Sequence, residues 1–256
     1  MVESRFTRDP NGTVTQQRLS EWLDLSESDW EYHLEQWTHP HRSTKAFEEF
    51  ISRPAQSSRT VIDICCGAGG PTSYLARQFP GVVFTGLDIA PELIGRASRQ
   101  ATASGLTNVG FETDDCFNLS SRSGIDGVIM IQSLGWLADW REPLRQMFEK
   151  LSPRWVALSS LFYPGDISCR VEVTEHKRNR QSFYNVYAVP QIAAFAETHG
   201  MRLAHFQKFE IDIDLPKPPS PDFLGTYTIK TEDASRLQIS GPLLLNWGFI
   251  LLERKA

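Results

Sequence analysis

The sequence predicts an α/β fold in which a doubly wound, mostly parallel sheet of seven strands carries helices on both faces. Short apolar runs alternate with segments of helical period, which is typical of strand–helix–strand units and requires a parallel sheet. Glycine-rich sequence follows the first run, and Pro71 then stands where a helix should begin. The predicted strands lie at 60–64, 82–89, 108–113, 125–131, 155–162, 203–214 and 243–253.

Two segments do not follow this alternation of strands and helices, and a third segment precedes it. Residues 1–52 are predicted to form a helical N-terminal cap, because aromatic and aliphatic residues recur there at helical spacing. These helices either cover the site or form a packing layer, and aromatic residues at helical spacing favour the packing layer. Residues 53–256 are predicted to form the sheet domain. Within that domain, we expect an insertion at about 163–189 and an extra β-hairpin at about 225–241, near the C-terminus.

The composition indicates an ordinary globular chain that works in the cytoplasm. A formal net charge of −5 over 256 residues argues against a protein whose main task is binding nucleic acid. The first residues lack the apolar core of a signal peptide, and no stretch has the length of a membrane span. The four cysteines have no C-x-x-C spacing, so we expect reduced thiols and no metal site.

Three acids mark the ends of successive predicted strands. Asp63, Asp88 and Asp115 stand at, or just beyond, the carboxyl ends of the first three strands. In an open parallel sheet, ligands bind in the crevice outside those ends. An acid about twenty residues after a glycine-rich turn is placed to accept hydrogen bonds from ribose hydroxyls. The pattern therefore predicts a ligand that contains a nucleoside.

The glycine spacing narrows the ligand further. Gly67 and Gly69 are followed by Thr72 where a dinucleotide fingerprint would have its third glycine, and no P-loop motif is present. The carboxylate of Asp63 beside the turn would repel a pyrophosphate, whereas it suits a cationic group. The sequence thus predicts a nucleoside with a charged tail that is not a phosphate.

The stretch Val61-Ile-Asp-Ile-Cys-Cys-Gly-Ala-Gly69 resembles the first motif of the class I S-adenosylmethionine-dependent methyltransferases. The resemblance spans roughly residues 58–160, over which strands and acids recur in the family's order. It departs at Cys65, where the family usually has its first glycine. The resemblance implies a Rossmann-like fold, S-adenosylmethionine as the cofactor and S-adenosylhomocysteine as its product.

The resemblance also implies which residues bind the cofactor. Asp63 would anchor the methionine amino group, directly or through water, and Asp88 would hold the ribose hydroxyls. Asp115 would accept a hydrogen bond from the adenine amino group. The other positions carried over lie in the glycine turn or beyond the ends of later strands: Cys65, Gly67, Gly69, Ile89, Cys116 and Gln132.

A small-molecule acceptor is predicted because a motif for methylating bases is absent after the fourth strand. The chain reads Ile131-Gln-Ser-Leu134 there, without the Asn/Asp-Pro-Pro-aromatic motif of family members that methylate exocyclic amino groups of bases. A helical cap with an insertion after the fifth strand is similar to family members that act on small molecules. We therefore predict a small-molecule N- or O-methyltransferase, in which proximity and orientation drive an in-line transfer.

Candidate acceptor-side residues come from loops over the same crevice. His176 and Tyr184 are the candidates for catalysis, with a surface histidine or ordinary packing as the respective alternatives. The candidates for acceptor binding share an aromatic or acidic side chain in these loops: Trp37, Trp136, Tyr163, Glu172, Tyr184 and Tyr187.

Two other functions stay open from the sequence. An RNA or protein methyltransferase could use the basic run at 176–180 to bind its substrate. A non-catalytic protein that only binds S-adenosylmethionine would carry the same first motif. The expected partner is a small molecule, with no membrane and no nucleic acid, and the oligomeric state is either monomer or homodimer.

Overall fold

The computed structural model describes residues 27–177, 180–220 and 224–255. Residues 1–26 of the expected cap lie outside these ranges, as do two residues of the basic run, 178 and 179. The first helices that the structure describes are α1, Glu27–Thr38, and α2, Arg42–Gln56. Pro40 lies between them, as the sequence predicted.

The strands and the remaining helices alternate over the first two thirds of the described chain. The helices after α2 are α3, Gly70–Gln78; α4, Pro91–Ala103; α5, Arg141–Gln146, which continues into a π-helical turn at Met147–Leu151; and α6, Val189–Thr198. The strands are β1, Thr60–Ile64; β2, Val83–Asp88; β3, Val109–Thr113; β4, Gly127–Ile131; β5, Trp155–Tyr163; β6, Glu172–Glu175; β7, Arg180–Phe183; β8, Tyr187–Ala188; β9, Met201–Lys208; β10, Thr226–Lys230; β11, Arg236–Ser240; β12, Leu243–Leu244; and β13, Trp247–Arg254.

One large sheet organises the molecule, in the order β3-β2-β1-β4-β5-β13-β9. Strands β1 to β5 pair in parallel, whereas β13 is antiparallel to both β5 and β9. The predicted doubly wound, mostly parallel sheet of seven strands is confirmed, and the short β8 adds an eighth strand beside β5. The chain reverses its direction of winding between β1 and β4, which puts a ligand crevice at the carboxyl ends of these strands.

The two faces of the sheet bury separate cores. Side chains of β1 alternate between them, so that Val61 packs with helix α2 while Ile62 packs with α5 and α6. Both cores consist of apolar side chains, to which the central strands contribute most of their residues. Asp63 is the exception in β1, with only 1% of its surface exposed.

Helix α2 belongs to the layer that covers the sheet. Phe47, Ile51 and Ala55 recur at helical spacing along it, and all three are fully buried in the core that contains Val61. The helix continues through Pro54 to Gln56, so it crosses position 52, where the sequence analysis ended the cap. The apolar stripe of α2 extends past Pro54 to Ala55, beyond the end of the predicted cap.

The C-terminal additions form small antiparallel sheets. Strands β10 and β11 make the hairpin that the sequence predicted at 225–241, and β12 extends it to three strands. The insertion at 163–189 contains a second hairpin, β6–β7. Within the described ranges, no helix combines the length and the apolar character that crossing a membrane requires.

Candidate active site

The turn between β1 and α3 has an unusual left-handed backbone. Cys65, Gly67 and Gly69 have φ values of 58°, 57° and 76°. A Cβ atom on Gly67 would lie 2.8 Å from Cε1 of His33 in α1, so only glycine leaves room for that ring. Cys65 pays a conformational cost at its position, since the left-handed region disfavours residues with a Cβ. This geometry explains why glycine is usual there in the family that the motif resembles.

Asp63 lies beneath this turn as a buried acid. Thr72 donates its hydroxyl to Oδ2 at 2.6 Å, whereas Oδ1 has no hydrogen-bond partner among the described residues. Burial raises the pKa of Asp63 to about 7, the Thr72 bond lowers it, and repulsion from Asp88 raises it further. A buried carboxyl group with an unused acceptor atom is suited to a neighbouring positive charge.

Asp88 joins the end of β2 to the glycine turn. Its Oδ2 accepts the Gly67 N–H at 2.8 Å, and its Oδ1 accepts the Ala90 N–H at 3.0 Å. Burial raises the pKa of Asp88, and the bonds from the backbone oppose that shift. Each carboxylate oxygen has a second acceptor position, so the residue retains capacity for two ligand hydroxyls.

The choice between Asp114 and Asp115 is decided by their partners. Asp114 accepts the N–H groups of Asp115 and Ser120 and lies 3.3 Å from a guanidinium nitrogen of Arg122. Among the described residues, the carboxylate of Asp115 accepts a hydrogen bond only from the Phe117 N–H, at 2.9 Å. Asp114 therefore has a structural role in this loop, and Asp115 is the better candidate for contacting a ligand.

Two thiols stand side by side at this end of the site. A hydrogen bond between the Cys65 and Cys116 side chains, followed by burial, raises the pKa of the Cys65 thiol well above its ordinary value. Burial also raises the pKa of Cys66. All four cysteines of the chain are free.

A single cavity of about 1140 Å³ is lined by the glycine turn, by Asp88 and Asp115, and by residues that follow β9. This volume exceeds the range of roughly 300–1,000 Å³ that is usual for one small ligand. One end is lined by the glycine turn, Asp88, Ile89, Asp115 and Cys116. The other end is lined by Trp136, Tyr184 and side chains from residues 209–247. The cavity thus has room for a nucleoside ligand and a second molecule.

Gln132 connects two walls of the cavity. It has a left-handed backbone with φ 57°, and its side chain donates to Ser43 Oγ at 2.8 Å. Ser43 lies in the first turn of α2, so this bond joins the end of β4 to that helix. A strained non-glycine residue in a cavity is a frequent feature of functional sites.

The predicted acceptor-side residues divide into three groups. Trp136 and Tyr184 line the cavity, with ring centroids 4.5 Å apart. Trp37 and Tyr187 are buried elsewhere and donate to the carbonyl oxygens of Ala68 and Leu137, each at 2.7 Å. Burial raises the pKa of the Tyr187 phenol.

The remaining candidates lie on the surface and do not line the cavity. Tyr163, Glu172 and His176 are all exposed. Glu175, the last residue of β6, lines the cavity instead, whereas His176 lies in the turn that follows the strand.

Two walls of the cavity were not predicted from the sequence. His41, Arg42 and Ser43 line it from the start of α2, and apolar residues after β9 line it from the opposite side. The strand predicted at 203–214 is wrong at its end, because β9 stops at Lys208 and residues 209–214 form no strand. Apolar and acidic residues alternate from Phe209 to Leu215, which indicates a chain with one face directed at an apolar surface.

A comparison with protein families identifies the kind of domain that the chain contains. Residues 61–154 match a family model described as a methyltransferase domain. The chain contains a class I S-adenosylmethionine-dependent methyltransferase domain. S-adenosylmethionine is the cofactor of this domain, and the residues present fit it. The unpartnered Oδ1 of Asp63 suits the cationic methionine end, and the acids of β2 and β3 suit the nucleoside.

The curated relatives of this chain match it over only part of their length. Trans-aconitate 2-methyltransferase of Mycobacterium tuberculosis is 30% identical over 120 residues, which is 46% of this chain and 43% of that protein. The enzyme of the same name from Escherichia fergusonii is 30% identical over 129 residues, covering 50% and 49% respectively. The chain therefore spans about half the length of these relatives or less.

Solved structures share the fold of this chain over most of its length. The YcgJ protein from Bacillus subtilis superposes with a TM-score of 0.55 at 14% identity, covering 84% of this chain and 98% of that one. Magnesium protoporphyrin IX methyltransferase from Synechocystis, solved with bound S-adenosylhomocysteine, gives a TM-score of 0.54 at 13% identity. That match covers 92% of this chain and 94% of the neighbour.

Exchanging Cys65 should reveal the strain in the turn. We expect the free energy of unfolding of Cys65→Gly to be about 1 kcal/mol higher than that of Cys65→Ala, because glycine adopts φ 58° without a Cβ clash. Denaturant unfolding followed by circular dichroism measures the difference. The exposed Cys169, whose φ is not positive, provides the matched pair, and its alanine variant should be at least as stable as its glycine variant. Equal stabilities of the two Cys65 variants would contradict the strain.

Proposed function

We propose that the chain is an enzyme that transfers a methyl group from S-adenosylmethionine to an N or O atom of a small molecule. The observation that carries this proposal is the single cavity of about 1140 Å³, which joins the residues of the cofactor end to a second compartment. Enzymes of this kind need the two molecules aligned in a site that excludes water more than they need a protein nucleophile. The relatives named for trans-aconitate support a small-molecule acceptor.

The proposed cofactor contacts rest on the hydrogen-bond partners of the three acids described above. When bound, S-adenosylmethionine supplies an electrophilic methyl group on a sulfonium. We propose that Asp63 neutralises its ammonium group, directly or through water, that Asp88 accepts from the ribose hydroxyls and that Asp115 accepts from the adenine amino group. The other proposed contacts line the same cavity or shape the turn: Cys65, Gly67, Gly69, Ile89, Cys116 and Gln132.

We propose His41 as the residue that removes a proton from an acceptor that arrives protonated. It lines the cavity, and burial lowers its pKa below the ordinary value, against an opposing attraction from Glu35. The imidazole is therefore uncharged at neutral pH and is able to accept a proton. Tyr184, the other candidate for catalysis, lines the same cavity, whereas His176 lies outside it.

We also propose that the enzyme works in the cytoplasm, where a reducing environment keeps its four cysteines as free thiols. Its acceptor enters the cavity, so the exposed residues His176 and Lys177 of the basic run have no part in the reaction.

Radiolabelled methyl transfer tests the function directly. We expect labelled product from S-adenosylmethionine and at least one member of a broad small-molecule panel that includes trans-aconitate, and none from RNA or protein. His41→Asn should lower kcat for a protonated acceptor by about 10²–10⁴-fold, the usual contribution of a positioned base. His176→Asn should leave kcat unchanged. Cofactor binding without turnover over the whole panel would support a binding protein instead.

Asp88→Asn tests the proposed ribose contact. We expect it to weaken S-adenosylhomocysteine binding by about 10- to 100-fold, because hydrogen bonds to a charged group contribute roughly 1.5–3 kcal/mol. Isothermal titration calorimetry measures the dissociation constant, and the exposed Asp166→Asn serves as the control. Unchanged affinity in Asp88→Asn would remove this residue from the site.

Cofactor affinity should rise with pH because of Asp63. Its pKa is raised to about 7 in the free protein, and a nearby ammonium group favours the ionised carboxylate, so binding expels the proton. We therefore expect affinity for S-adenosylmethionine to increase from pH 6 to pH 8 and then level off. Asp63→Asn should flatten this dependence. A wild-type affinity that does not change between these pH values would refute the coupling.

The same shift affects folding stability. Because the folded pKa lies above the value in the unfolded chain, the ionisation of Asp63 lowers the free energy of unfolding as pH rises from about 4 to about 7. The difference in unfolding free energy between Asp63→Asn and the wild type should therefore grow in favour of the variant over that range, as seen in denaturant titrations.

A further inference from the structure

The compartment opposite the cofactor end has an apolar wall that is held in place by backbone hydrogen bonds. Six aliphatic or aromatic side chains provide it: Phe209, Ile211, Ile213, Leu215, Leu224 and Leu245. The Phe209 N–H donates to the Trp247 carbonyl at 2.9 Å, and the Thr228 N–H donates to the Leu215 carbonyl at 3.2 Å. These bonds attach both ends of the 209–215 segment to strands β13 and β10.

A buried glutamine strengthens this attachment. The side chain of Gln238 in β11 is 3% exposed, and its Nε2 donates to the carbonyl oxygen of Phe209 at 2.9 Å. The Leu245 N–H donates to the Gln238 carbonyl at 2.8 Å. The small sheet β10–β12 thus supports the wall from behind, which makes the wall a built surface.

The charges at this compartment do not suit an anionic acceptor. Among the described residues that line the cavity, Arg42 is the only arginine or lysine. Its guanidinium lies 2.6 Å from the carboxylate of Asp212, which neutralises it. Glu175 contributes a negative charge to the lining. Recognition of a polycarboxylate would require several cations, usually arginines in bidentate contact.

The wall also lies outside the segment that matches the methyltransferase family model, which ends at residue 154. Its chemistry is therefore a property of this chain's own C-terminal additions, and the acceptor of the partial relatives does not determine it. The aromatic pair Trp136 and Tyr184 continues the apolar surface at the edge of the same cavity.

We infer that the methyl acceptor is a large, predominantly apolar molecule without multiple negative charges, and that the wall formed by residues 209–215, Leu224 and Leu245 selects it. This inference rests on the proposed function. The apolar body of the acceptor packs against the wall, where each buried methylene adds to affinity. The nucleophilic atom lies at the opposite end of the molecule, toward the cofactor.

A homologous series of 4-alkylphenols probes this selection. Calorimetry with the full chain saturated with S-adenosylhomocysteine should show affinity rising about three- to fourfold for each methylene from ethyl to hexyl, as expected for full burial of each group. Citrate, a tricarboxylate, should bind more weakly than the longer phenols. Affinities that do not change along the series, or tighter binding of citrate, would overturn the inference.

A pair of isoleucines provides matched variants. Ile213 lines the cavity and is 38% exposed, whereas Ile229 on β10 is 45% exposed and does not line it. Ile213→Gln should reduce the gain in affinity per methylene and weaken hexylphenol binding by about fivefold or more, since it removes apolar contact worth roughly one or two methylenes. Ile229→Gln should bind the series like the wild type. Equal behaviour of the two variants would overturn the role of the wall.

The order of measurements separates the two hypotheses. Binding of S-adenosylhomocysteine is measured first, and its absence would refute the proposed function without reference to the wall. If S-adenosylhomocysteine binds and labelled methyl transfer occurs while the phenol series shows no dependence on chain length, the function stands and the acceptor class fails. Thermal unfolding of both glutamine variants checks that each is folded.

Discussion

The left-handed backbone between Cys65 and Gly69 is the constraint on which the site depends. It turns the chain sharply out of β1, so that α3 begins directly over the sheet and the turn N–H of Gly67 reaches the carboxylate of Asp88. That hydrogen bond fixes the position of the end of β1 relative to the end of β2. The close approach of His33 to Gly67 then sets the position of α1 over the same turn.

The cofactor end of the site was predictable from the sequence because its chemistry is local. The strand, the glycine turn and the acids at the ends of β2 and β3 follow one another over two successive strand–helix units, and apolar periodicity places them correctly. Asp88 and Asp115 reach the cavity for this reason. Asp63 carried a clear motif signal, but its position beneath the turn, outside the lining, depends on the packing of α3 and Thr72.

The acceptor end was less predictable because distant segments build it. Trp136 and Tyr184 come together from the loop after β4 and the second hairpin, and no periodicity in either segment indicates that contact. Trp37 lies in helix α1 and Tyr187 in strand β8, where their polar atoms donate hydrogen bonds to backbone carbonyls. Glu175, the last residue of β6, lines the cavity, whereas His176 already lies in the turn beyond the end of the strand.

The contact between the Cys65 and Cys116 thiols has a consequence for the durability of the protein. S-adenosylmethionine is an alkylating agent, and a thiolate beside its sulfonium would be a competing target. The thiol is the weaker nucleophile, and the hydrogen bond to Cys116 together with burial raises the pKa of Cys65, which keeps that side chain protonated. With the methyl donor bound as proposed, the surroundings of Cys65 would lower its reactivity further, because they disfavour the thiolate.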